Sequence, residues 1–319
     1  MIVTVTLNTG IDHTLLVPDF KWGKTIRSTE SAVGMGGKAI DASWVLGELG
    51  IANLALGLAA GHNGKEMERL LHQKGVQTRF TWVEGETRLN TVVVSGRGEG
   101  QTTLIGRGLA VTGDHLAAFL RTYYEALDQC TCLIIGGSLP ANVPASIYTK
   151  MVRQARERDI PVIFDASGPG LQAGLAGRPT LIKPNLAELM SLAGKPLKTL
   201  RDVSEAACQI RDRYQCIVLA TLGEKGALIV TNREPLFIAP LKVELRSAAG
   251  AGDAILAGVA QSFAAGLPLE EGLRLGFAAA TAVLLTLGTA DCRQGDVIKL
   301  KSEIQLQKYD DQSAGDMTL

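Results

Sequence analysis

The stretch CLIIGGSLP, residues 132–140, sets the pattern on which the fold prediction depends. Its apolar run has the length of a strand and ends in a Gly-Gly-Ser turn, and apolar residues then recur with helical spacing over about 143–158. The same alternation continues in PVIFDASG (161–168), in LIKPN (181–185) with a short helix after it, and in a helix at about 202–214 followed by CIVLATLG (216–223). Continuous apolar strands separated by helices predict an α/β protein with a doubly wound, mostly parallel sheet covered on both faces.

Four of these strands end close to a polar residue, namely Ser138, Asp165, Asn185 and Thr221. A parallel arrangement brings the four strand ends to one edge of the sheet. Open α/β sheets bind their ligands outside this carboxyl edge, so we expect the functional site there.

The N-terminal third of the chain has a different pattern, in which short alternating β-type runs follow the opening strand. We expect a small sheet built from two insertions, at about 9–33 and 87–106, that forms a lid over the edge of the main sheet. Between the insertions, residues 38–50 have the apolar spacing of an amphipathic helix that belongs to the main layer. The expected organisation is one domain over 1–319 with the lid inside it.

Composition limits the classes of ligand. The chain has 319 residues, with 32 Lys plus Arg against 32 Asp plus Glu, so its formal net charge of zero supplies no general field for nucleic acid or an anionic membrane. Five cysteines form no CxxC pair and four histidines lack metal-binding spacing, so we expect no disulfide framework and no zinc site made of protein ligands alone. No signal-peptide pattern precedes the first strand, and the longest uncharged run, Leu275–Ala290, is shorter than a membrane span. We therefore expect a cytoplasmic protein without nucleic-acid or membrane partners.

The most informative motif is SAAGAGDAILAGVAQSFAAG, residues 247–266. Its second half predicts an amphipathic helix, and Gly250, Ala251 and Gly252 lie at the start of that helix. Three small residues leave the backbone N–H groups accessible, and the helix dipole favours an anion, so the segment suits a phosphate. Asp253 beside it can accept the proton of a hydroxyl group that attacks a transferring phosphoryl group. On spacing alone, an ordinary helix start with an acidic first-turn residue fits equally well.

A second glycine-rich helix start is GMGGKAIDASWVLGELG, residues 34–50. Gly34, Gly36 and Ala39 match a loose dinucleotide-binding pattern, but no acidic residue follows about 20 positions later, and the residue types exclude a Walker loop. What remains is Lys38 at a helix N-terminus, where its ammonium group can hold an anionic or polyhydroxy ligand. A solvated lysine in the first turn is the alternative.

KPNLAEL, residues 183–189, places Asn185 and Glu188 three positions apart at a strand-to-helix turn. The two side chains can bind a hydrated Mg²⁺ ion carried by a nucleotide, or they can form an ordinary capping box. ATLGEKGA, residues 220–227, predicts a strand, a glycine turn and another strand. A nucleotide lying over the turn and a plain hairpin both agree with that pattern.

Three charged residues in the N-terminal β-type runs complete the candidates. Asp12 suits sugar hydroxyl groups, whereas Arg27 and Arg88 suit a phosphate because an arginine fork pairs with phosphate oxygens. Taken singly, each also fits an ordinary surface charge.

Five segments in this order, GGKAIDAS, GGSLP, KPNLAEL, TLGEKGA and GAGDAILAG, resemble the PfkB, or ribokinase-like, family of carbohydrate kinases along nearly the whole chain. The opening TVTLNTGID and TRLN at 87–90 are most similar to the branch of 1-phosphofructokinases, tagatose-6-phosphate kinases and minor 6-phosphofructokinases. The resemblance implies a ribokinase-like fold with a β lid often used for dimer contacts. It also implies ATP and Mg²⁺ as cofactors and transfer of the γ-phosphoryl group to a hydroxymethyl group of a ketohexose phosphate. Fructose 1-phosphate, giving fructose 1,6-bisphosphate, is the favoured acceptor, with tagatose 6-phosphate and fructose 6-phosphate as equivalents.

The resemblance also implies roles by position. The catalytic base corresponds to Asp253, and the anion hole corresponds to Gly250, Ala251 and Gly252. The nucleotide-binding positions are Lys183, Asn185, Glu188, Thr221, Gly223 and Gly226, with Asn185 and Glu188 associated with Mg²⁺ and the ATP phosphates. The phosphosugar-binding positions are Asp12, Arg27, Gly37, Lys38, Asp41, Arg88, Asn90 and Ser138.

Several positions depart from the family pattern. Asn8 is followed by Thr9 instead of proline, Asp41 replaces the usual asparagine of GGKGxN, Ser247-Ala248 precede GAGD, and IGRGL at 105–109 lacks the usual acidic residue. Because an ionised aspartate accepts hydrogen bonds and does not donate them, Asp41 can change the acceptor specificity. Two alternatives stay open. Because Lys38 in a GGK motif is also similar to ribokinase-like relatives, the chain can be a kinase for an unphosphorylated sugar or nucleoside, and the departures near Asp41, Ala248 and Arg107 also agree with a catalytically silent nucleotide- or sugar-binding regulator of the same fold.

Overall fold

Strands and helices alternate along most of the chain, and the computed structural model describes residues 1–309. The strands are β1 (Ile2–Thr6), β2 (Gly10–Val17), β3 (Glu30–Gly36), β4 (Asn53–Ala59), β5 (Gln77–Trp82), β6 (Arg88–Ser95), β7 (Gln101–Leu104), β8 (Cys132–Gly136), β9 (Val162–Asp165), β10 (Leu181–Ile182), β11 (Ile217–Thr221), β12 (Ala227–Val230), β13 (Leu236–Ile238) and β14 (Leu306–Lys308). The helices are α1 (Lys38–Glu48), α2 (Gly61–Gln73), α3 (Gly113–Leu127), α4 (Ser146–Arg156), α5 (Gly168–Leu175), α6 (Leu186–Ala193), α7 (Leu200–Tyr214), α8 (Ala251–Ala265), α9 (Leu269–Leu284) and α10 (Gln294–Lys301).

The large sheet has the strand order β14-β13-β12-β11-β10-β9-β8-β1-β4-β5 over the described residues. Neighbouring strands are parallel from β5 to β11, and β12, β13 and β14 continue one side as antiparallel strands. Consecutive residues of β1 face two different cores: Ile2 packs in the cluster that contains α1, α8 and α9, and Val3 packs in the cluster that contains α3, α4 and α7. Burial on both faces explains the continuous apolar strands, and it confirms the predicted doubly wound, mostly parallel sheet.

The four long helices predicted from apolar spacing are all present, and the one expected in the second half of residues 247–266 is α8. The helix expected over 38–50 is α1, the helix expected near 143–158 is α4, and the helix expected near 202–214 is α7. Helix α7 begins two residues earlier than expected because Thr199 caps it, with its hydroxyl group accepting the backbone N–H of Asp202. None of the helices in the described residues is long and apolar enough to cross a membrane.

The small sheet has the strand order β3-β2-β6-β7 and lies in the two predicted insertions, except that β3 continues to Gly36. Strand β2 is antiparallel to β3 and parallel to β6, and this register places Asp12 opposite Asn90. Gln101 of β7 accepts hydrogen bonds from the Ser247 hydroxyl group (3.2 Å) and from the backbone N–H of the next residue (3.0 Å). The sheet is therefore attached to the loop that precedes α8. The organisation as one domain over residues 1–319 stays a prediction.

Helices α8 and α9 pack with their backbones in close approach, which glycine makes possible. A Cβ atom on Gly258 of α8 would lie 2.1 Å from the backbone nitrogen of Gly276, and one on Gly276 would lie 2.6 Å from the carbonyl oxygen of Ile255. Because α8 carries Asp253 in its first turn, this contact sets the position of the helix that bears the candidate base.

Replacing Gly258 by alanine should lower the free energy of unfolding by about 2–3 kcal/mol, because the added methyl group meets backbone that moves only if the helices separate. Urea denaturation measures the change. Gly295→Ala is the matched control, since Gly295 lies in α10 and a Cβ atom there would point into open space. A Gly258→Ala protein as stable as the parent would contradict the close packing of α8 and α9.

Candidate active site

The candidate site lies at the carboxyl edge of the large sheet, where the ends of β9 and β10 meet the starts of α1 and α8. Lys38 is the first residue of α1, and the backbone of Gly136 and Gly137 at the end of β8 passes next to it. Gly37 precedes the helix with φ of 140°, a conformation that favours glycine, and a Cβ atom there would lie 2.9 Å from the Thr6 side chain. The structure thus places this glycine-rich helix start at the edge predicted for the ligand.

A buried ion-pair cluster centres on Asp165. Its two carboxylate oxygens lie 2.6 Å from the Lys38 ammonium nitrogen and 2.8 Å from the Lys183 ammonium nitrogen. Burial opposes ionisation of Asp165, but the ammonium groups of Lys183 and Lys38 outweigh burial and hold its pKa below the ordinary value. Lys38 also lies 3.2 Å from a carboxylate oxygen of Glu188. Burial disfavours the charged ammonium of Lys38, yet the surrounding carboxylates raise its pKa, so Lys38 is a permanent cation.

The start of α8, at residues 250–252, has the form of an anion-binding site and is called the phosphate cradle below. Gly250 is the N-cap with φ of 78°, and a side chain there would collide with the backbone of Ala290. The first N–H groups of a helix have no acceptor within the helix, and the helix dipole adds positive character to them. The ammonium nitrogen of Lys183 lies 3.4 Å from the position that a Cβ atom of Gly252 would occupy. The predicted phosphate cradle therefore has a cation at its rim.

Asp253 lies in the first turn of α8, directly after this cradle. Burial raises its pKa to about 6, Lys183 and Lys38 act in the opposite direction, and Asp165 adds to the rise. A carboxylate with a pKa near 6 is ionised at neutral pH and is also basic enough to take part in proton transfer.

A second carboxyl group is buried near Asp253. Asp41 belongs to α1 and is only 3% exposed, and its Oδ1 atom has no hydrogen-bond partner in the described residues. Burial and the charges of Asp253 and Asp12 raise the pKa of Asp41 well above the ordinary value.

The small sheet contributes a polar network on the other side of the site. Asp12 accepts hydrogen bonds from the Asn90 amide (2.7 Å) and from the Thr289 hydroxyl group (2.9 Å). Arg88 donates to the backbone carbonyl of Asn8 (2.9 Å), while its buried Nε atom has no hydrogen-bond partner in the described residues.

Asn8 also connects this network to the end of β8. Its amide donates to the Ser138 hydroxyl group at 3.0 Å. Burial lowers the pKa of Arg88, and the carboxyl groups of Asp12 and Asp41 oppose that change. Asp12 and Asn90 are thus joined by one set of hydrogen bonds, and Arg88 is joined to Ser138 through Asn8 by another. The guanidinium group of Arg88 still has hydrogen-bonding capacity.

Arg27 lies apart from the other predicted site residues. It occupies the exposed loop between β2 and β3, and within residues 1–309 it forms no hydrogen bond or ion pair with any of them. The network contains three residues absent from the predicted set, which are Asn8, Asp165 and Thr289. Asp165 has a local signal, since it ends an apolar strand at the ligand edge. Thr289 has none, because its partner Asp12 is 277 positions away.

The predicted nucleotide-binding residues adjoin the same edge. The backbone N–H of Asn185 donates to Glu188 and the backbone N–H of Glu188 donates to Asn185, both at 2.9 Å, so the two residues form the capping box that the sequence left as an alternative. An isolated β-bridge pairs Asn185 with Thr221. Gly223 and Gly226 have positive φ angles of 62° and 94° and form the turn of the β11–β12 hairpin. The predicted strand, glycine turn and strand are therefore present.

The side-chain oxygens of Asn185 and Glu188 suit a magnesium ion that a nucleotide carries. They do not by themselves form a complete metal-binding site. In the described part of the chain no group of three or more His, Cys, Asp or Glu side chains could hold a metal ion. One Glu188 oxygen accepts the Asn185 N–H and the other faces Lys38. Such oxygens suit contact through water with an ion that the phosphates carry, since Mg²⁺ usually keeps several water ligands.

Comparison with known proteins agrees with this arrangement. Residues 2–295 match the model of the pfkB family of carbohydrate kinases. The chain is 31% identical over 293 residues to 1-phosphofructokinase from Bacillus subtilis, which covers 91% of this chain and 95% of that protein. The structure of phosphofructokinase-2 from Escherichia coli in complex with fructose-6-phosphate is similar, with a TM-score of 0.83, 29% identity, and coverage of 95% of this chain and 98% of that one. The tetrameric inhibited form of phosphofructokinase-2 from Escherichia coli gives a TM-score of 0.85 at 30% identity and the same coverage.

The ordered motifs, the doubly wound sheet and the anion cradle beside an acidic residue thus occur together in a chain that matches the family model almost from end to end. The chain belongs to the pfkB family of carbohydrate kinases.

Proposed function

We propose that this chain is an ATP-dependent kinase that phosphorylates a hydroxymethyl group of a ketohexose phosphate, with fructose 1-phosphate as the favoured acceptor and fructose 1,6-bisphosphate as the product. The observation that carries the proposal is the position of Asp253, which directly follows the helix-start cradle and lies near the ammonium groups of Lys38 and Lys183. Tagatose 6-phosphate and fructose 6-phosphate are the equivalent acceptors.

In the proposed reaction, Asp253 accepts the proton of the acceptor hydroxyl group as the hydroxyl oxygen forms its bond to the γ-phosphorus of ATP. The bond from the γ-phosphorus to the bridging oxygen breaks, and ADP leaves with that electron pair. The N–H groups of Gly250, Ala251 and Gly252, together with Lys183, stabilise the negative charge on the transferring group. Lys38 adds positive charge between the cradle and the acceptor side.

In this proposal the small sheet binds the acceptor sugar. Its side chains supply hydrogen bonds to the sugar and a cation for the phosphate that the sugar already carries. Within residues 1–309 the Nε–H of Arg88 has no acceptor, and a guanidinium group pairs well with phosphate oxygens. Asp12 and Asn90 present polar groups to sugar hydroxyls, and Gly37, Lys38 and Ser138 line the same edge. The role of Arg27 in phosphate binding stays a prediction, because its loop would have to move toward the acceptor.

Magnesium belongs to this proposal as the ion that neutralises ATP phosphates when the nucleotide is bound. Asn185 and Glu188 would hold its water ligands, while Thr221, Gly223 and Gly226 would lie along the nucleotide. These roles leave the capping box of α6 intact, since each carboxylate and amide oxygen can accept more than one hydrogen bond.

The small sheet is proposed as a lid and as the surface of a homodimer. It carries the exposed apolar side chains of Val33, Leu89 and Leu104, and the exposed Ile105 directly follows β7. Closure of a lid would keep water from the γ-phosphoryl group and so limit hydrolysis of ATP. A cytoplasmic location completes the proposal and likewise stays a prediction.

Replacing Asp253 by asparagine should lower kcat by about 100-fold to 10,000-fold, because the amide cannot accept the hydroxyl proton, whereas the affinity for ATP changes little. A coupled ADP assay and calorimetric nucleotide titration measure the two quantities. Asp296→Asn is the matched control, since Asp296 is an acidic first-turn residue of the remote helix α10. Near-normal turnover in Asp253→Asn would refute the general-base role.

The value of kcat/KM should fall as the pH drops below about 6, because protonation of Asp253, whose pKa is raised to about 6 mainly by burial, removes the base. Lys183 lowers the pKa of Asp253, so Lys183→Gln should move this acid limb to higher pH. If the acid limb came instead from the phosphate group of the sugar substrate, it would lie at the same pH in the parent and in Lys183→Gln. An acid limb that does not move in Lys183→Gln would assign the titration to the substrate and contradict the prediction.

A panel of phosphorylated and free sugars separates the proposed function from its alternatives. Arg88→Ala should raise KM for a phosphorylated acceptor by about tenfold to 100-fold and leave any free-sugar activity unchanged, since the lost contact is to the phosphate. Arg97→Ala is the control, because Arg97 is an exposed arginine in the turn between β6 and β7. Turnover only with free sugars or nucleosides would favour the second kinase class. Ligand binding without ADP formation from any sugar would favour a silent regulator.

A further inference from the structure

The segment that joins α9 to α10 touches both sides of the proposed site. Thr289 of this segment is 3% exposed, and its hydroxyl group donates to the Asp12 carboxylate at 2.9 Å. A Cβ atom on Gly34 of β3 would lie 2.7 Å from the carbonyl oxygen of Thr289, so the backbone of the segment packs directly against the small sheet. Thr289 therefore contacts both β2 and β3, on the side where the acceptor sugar is proposed to bind.

The next residue, Ala290, makes the opposite contact, with the phosphate cradle. Its backbone N–H donates to the Ala249 carbonyl oxygen at 2.9 Å, and a Cβ atom on Gly250 would collide with its backbone nitrogen. Ala290 is fully buried and has a φ of 50°, which residues with a Cβ atom rarely adopt. Because such a conformation persists only where the surroundings hold it, the position of Ala290 is fixed by its neighbours.

The two contacts are joined by a single peptide unit. A peptide unit is planar and rigid and holds consecutive Cα atoms about 3.8 Å apart, so a shift of Thr289 is passed to Ala290. From Ala290 the shift reaches Gly250, which is the N-cap of α8. Leu287 of the same segment packs in one buried cluster with Val92 of β6, so the segment is bound to the small sheet at more than one point. The path from the acceptor side to the cradle consists of one hydrogen bond, one peptide unit and one backbone contact.

We propose that Thr289 is a positioning residue that couples occupancy of the acceptor site to the alignment of the phosphate cradle. Its hydroxyl group binds the Asp12 carboxylate, and the peptide unit that follows it holds Gly250 at the start of α8. This inference rests on the proposed function, which places the sugar at Asp12 and the γ-phosphoryl group at the cradle. A sugar bound at Asp12 then aligns the cradle amides, and this alignment favours transfer to the sugar over transfer to water.

Hydrogen–deuterium exchange on the protein without substrates tests the link. Thr289→Val removes the hydroxyl group and nearly keeps the shape of the side chain. Loss of the bond to Asp12 should speed exchange by about threefold to tenfold at the Ala290 amide and at the Ala254 amide, which donates to the Gly250 carbonyl oxygen.

The matched control for exchange is Thr149→Val. The Thr149 hydroxyl group donates to the Ala173 carbonyl oxygen and joins α4 to α5, so its loss should leave the Ala254 amide unchanged. Exchange of the Ala254 amide at the parent rate in Thr289→Val would overturn the link. This measurement needs no turnover, so its result is independent of the proposed activity.

Steady-state kinetics separates a positioning role from simple sugar binding. With both substrates saturating, Thr289→Val should lower kcat by about tenfold, the size expected from loss of one hydrogen bond to a charged group. Thr289→Ser should recover most of that loss because it keeps the hydroxyl group. A raised KM for the sugar with an unchanged kcat in Thr289→Val would mean that Thr289 only orients Asp12, and it would overturn the coupling. Thermal unfolding verifies that both variants are folded.

Discussion

The rest of the site depends on the buried carboxylate of Asp165, which joins two cations from different parts of the chain. Lys38 begins α1, Lys183 follows β10, and Asp165 ends β9 between them in the fold. Burial of a carboxylate is unfavourable unless cations pair with it, so loss of either lysine would leave Asp165 with one ion pair instead of two. Lys183 also lies beside Gly252 at the start of α8, and the charges of both ammonium groups lower the pKa of Asp253. One ion-pair cluster therefore sets both the spacing of these elements and the electrostatic potential at the site.

Local chemistry made much of this arrangement predictable. The apolar run and Gly-Gly-Ser turn at 132–140 mark a buried strand that ends at the ligand edge, and β8 has that position. The small residues 250–252 mark an accessible helix start because only short side chains leave the amides open, and α8 begins there. The backbone conformation of such motifs is determined by a few neighbouring residues. For that reason they could be identified without knowledge of the rest of the fold.

Contacts between distant segments could not be predicted in this way. Thr289 donates to Asp12 across 277 positions, and no residue near Thr289 signals that partner. The exchange of the usual asparagine for Asp41 was visible in the sequence, but the influence of the Asp253 charge on its pKa depends on how α1 packs against α8. Arg27 has the right chemistry for a phosphate and lies in an exposed loop, because chemistry alone does not determine where a loop carries its side chain.

The attachment of Gln101 has a mechanical consequence for the small sheet. This one side chain accepts hydrogen bonds from Ser247 and from the following backbone N–H, and the chain reaches Gly250 only two residues later. A rotation of the small sheet must therefore either break both bonds or pull on the segment that enters α8. Motion of the small sheet and the position of the backbone N–H groups at the start of α8 are consequently coupled through the side chain of Gln101.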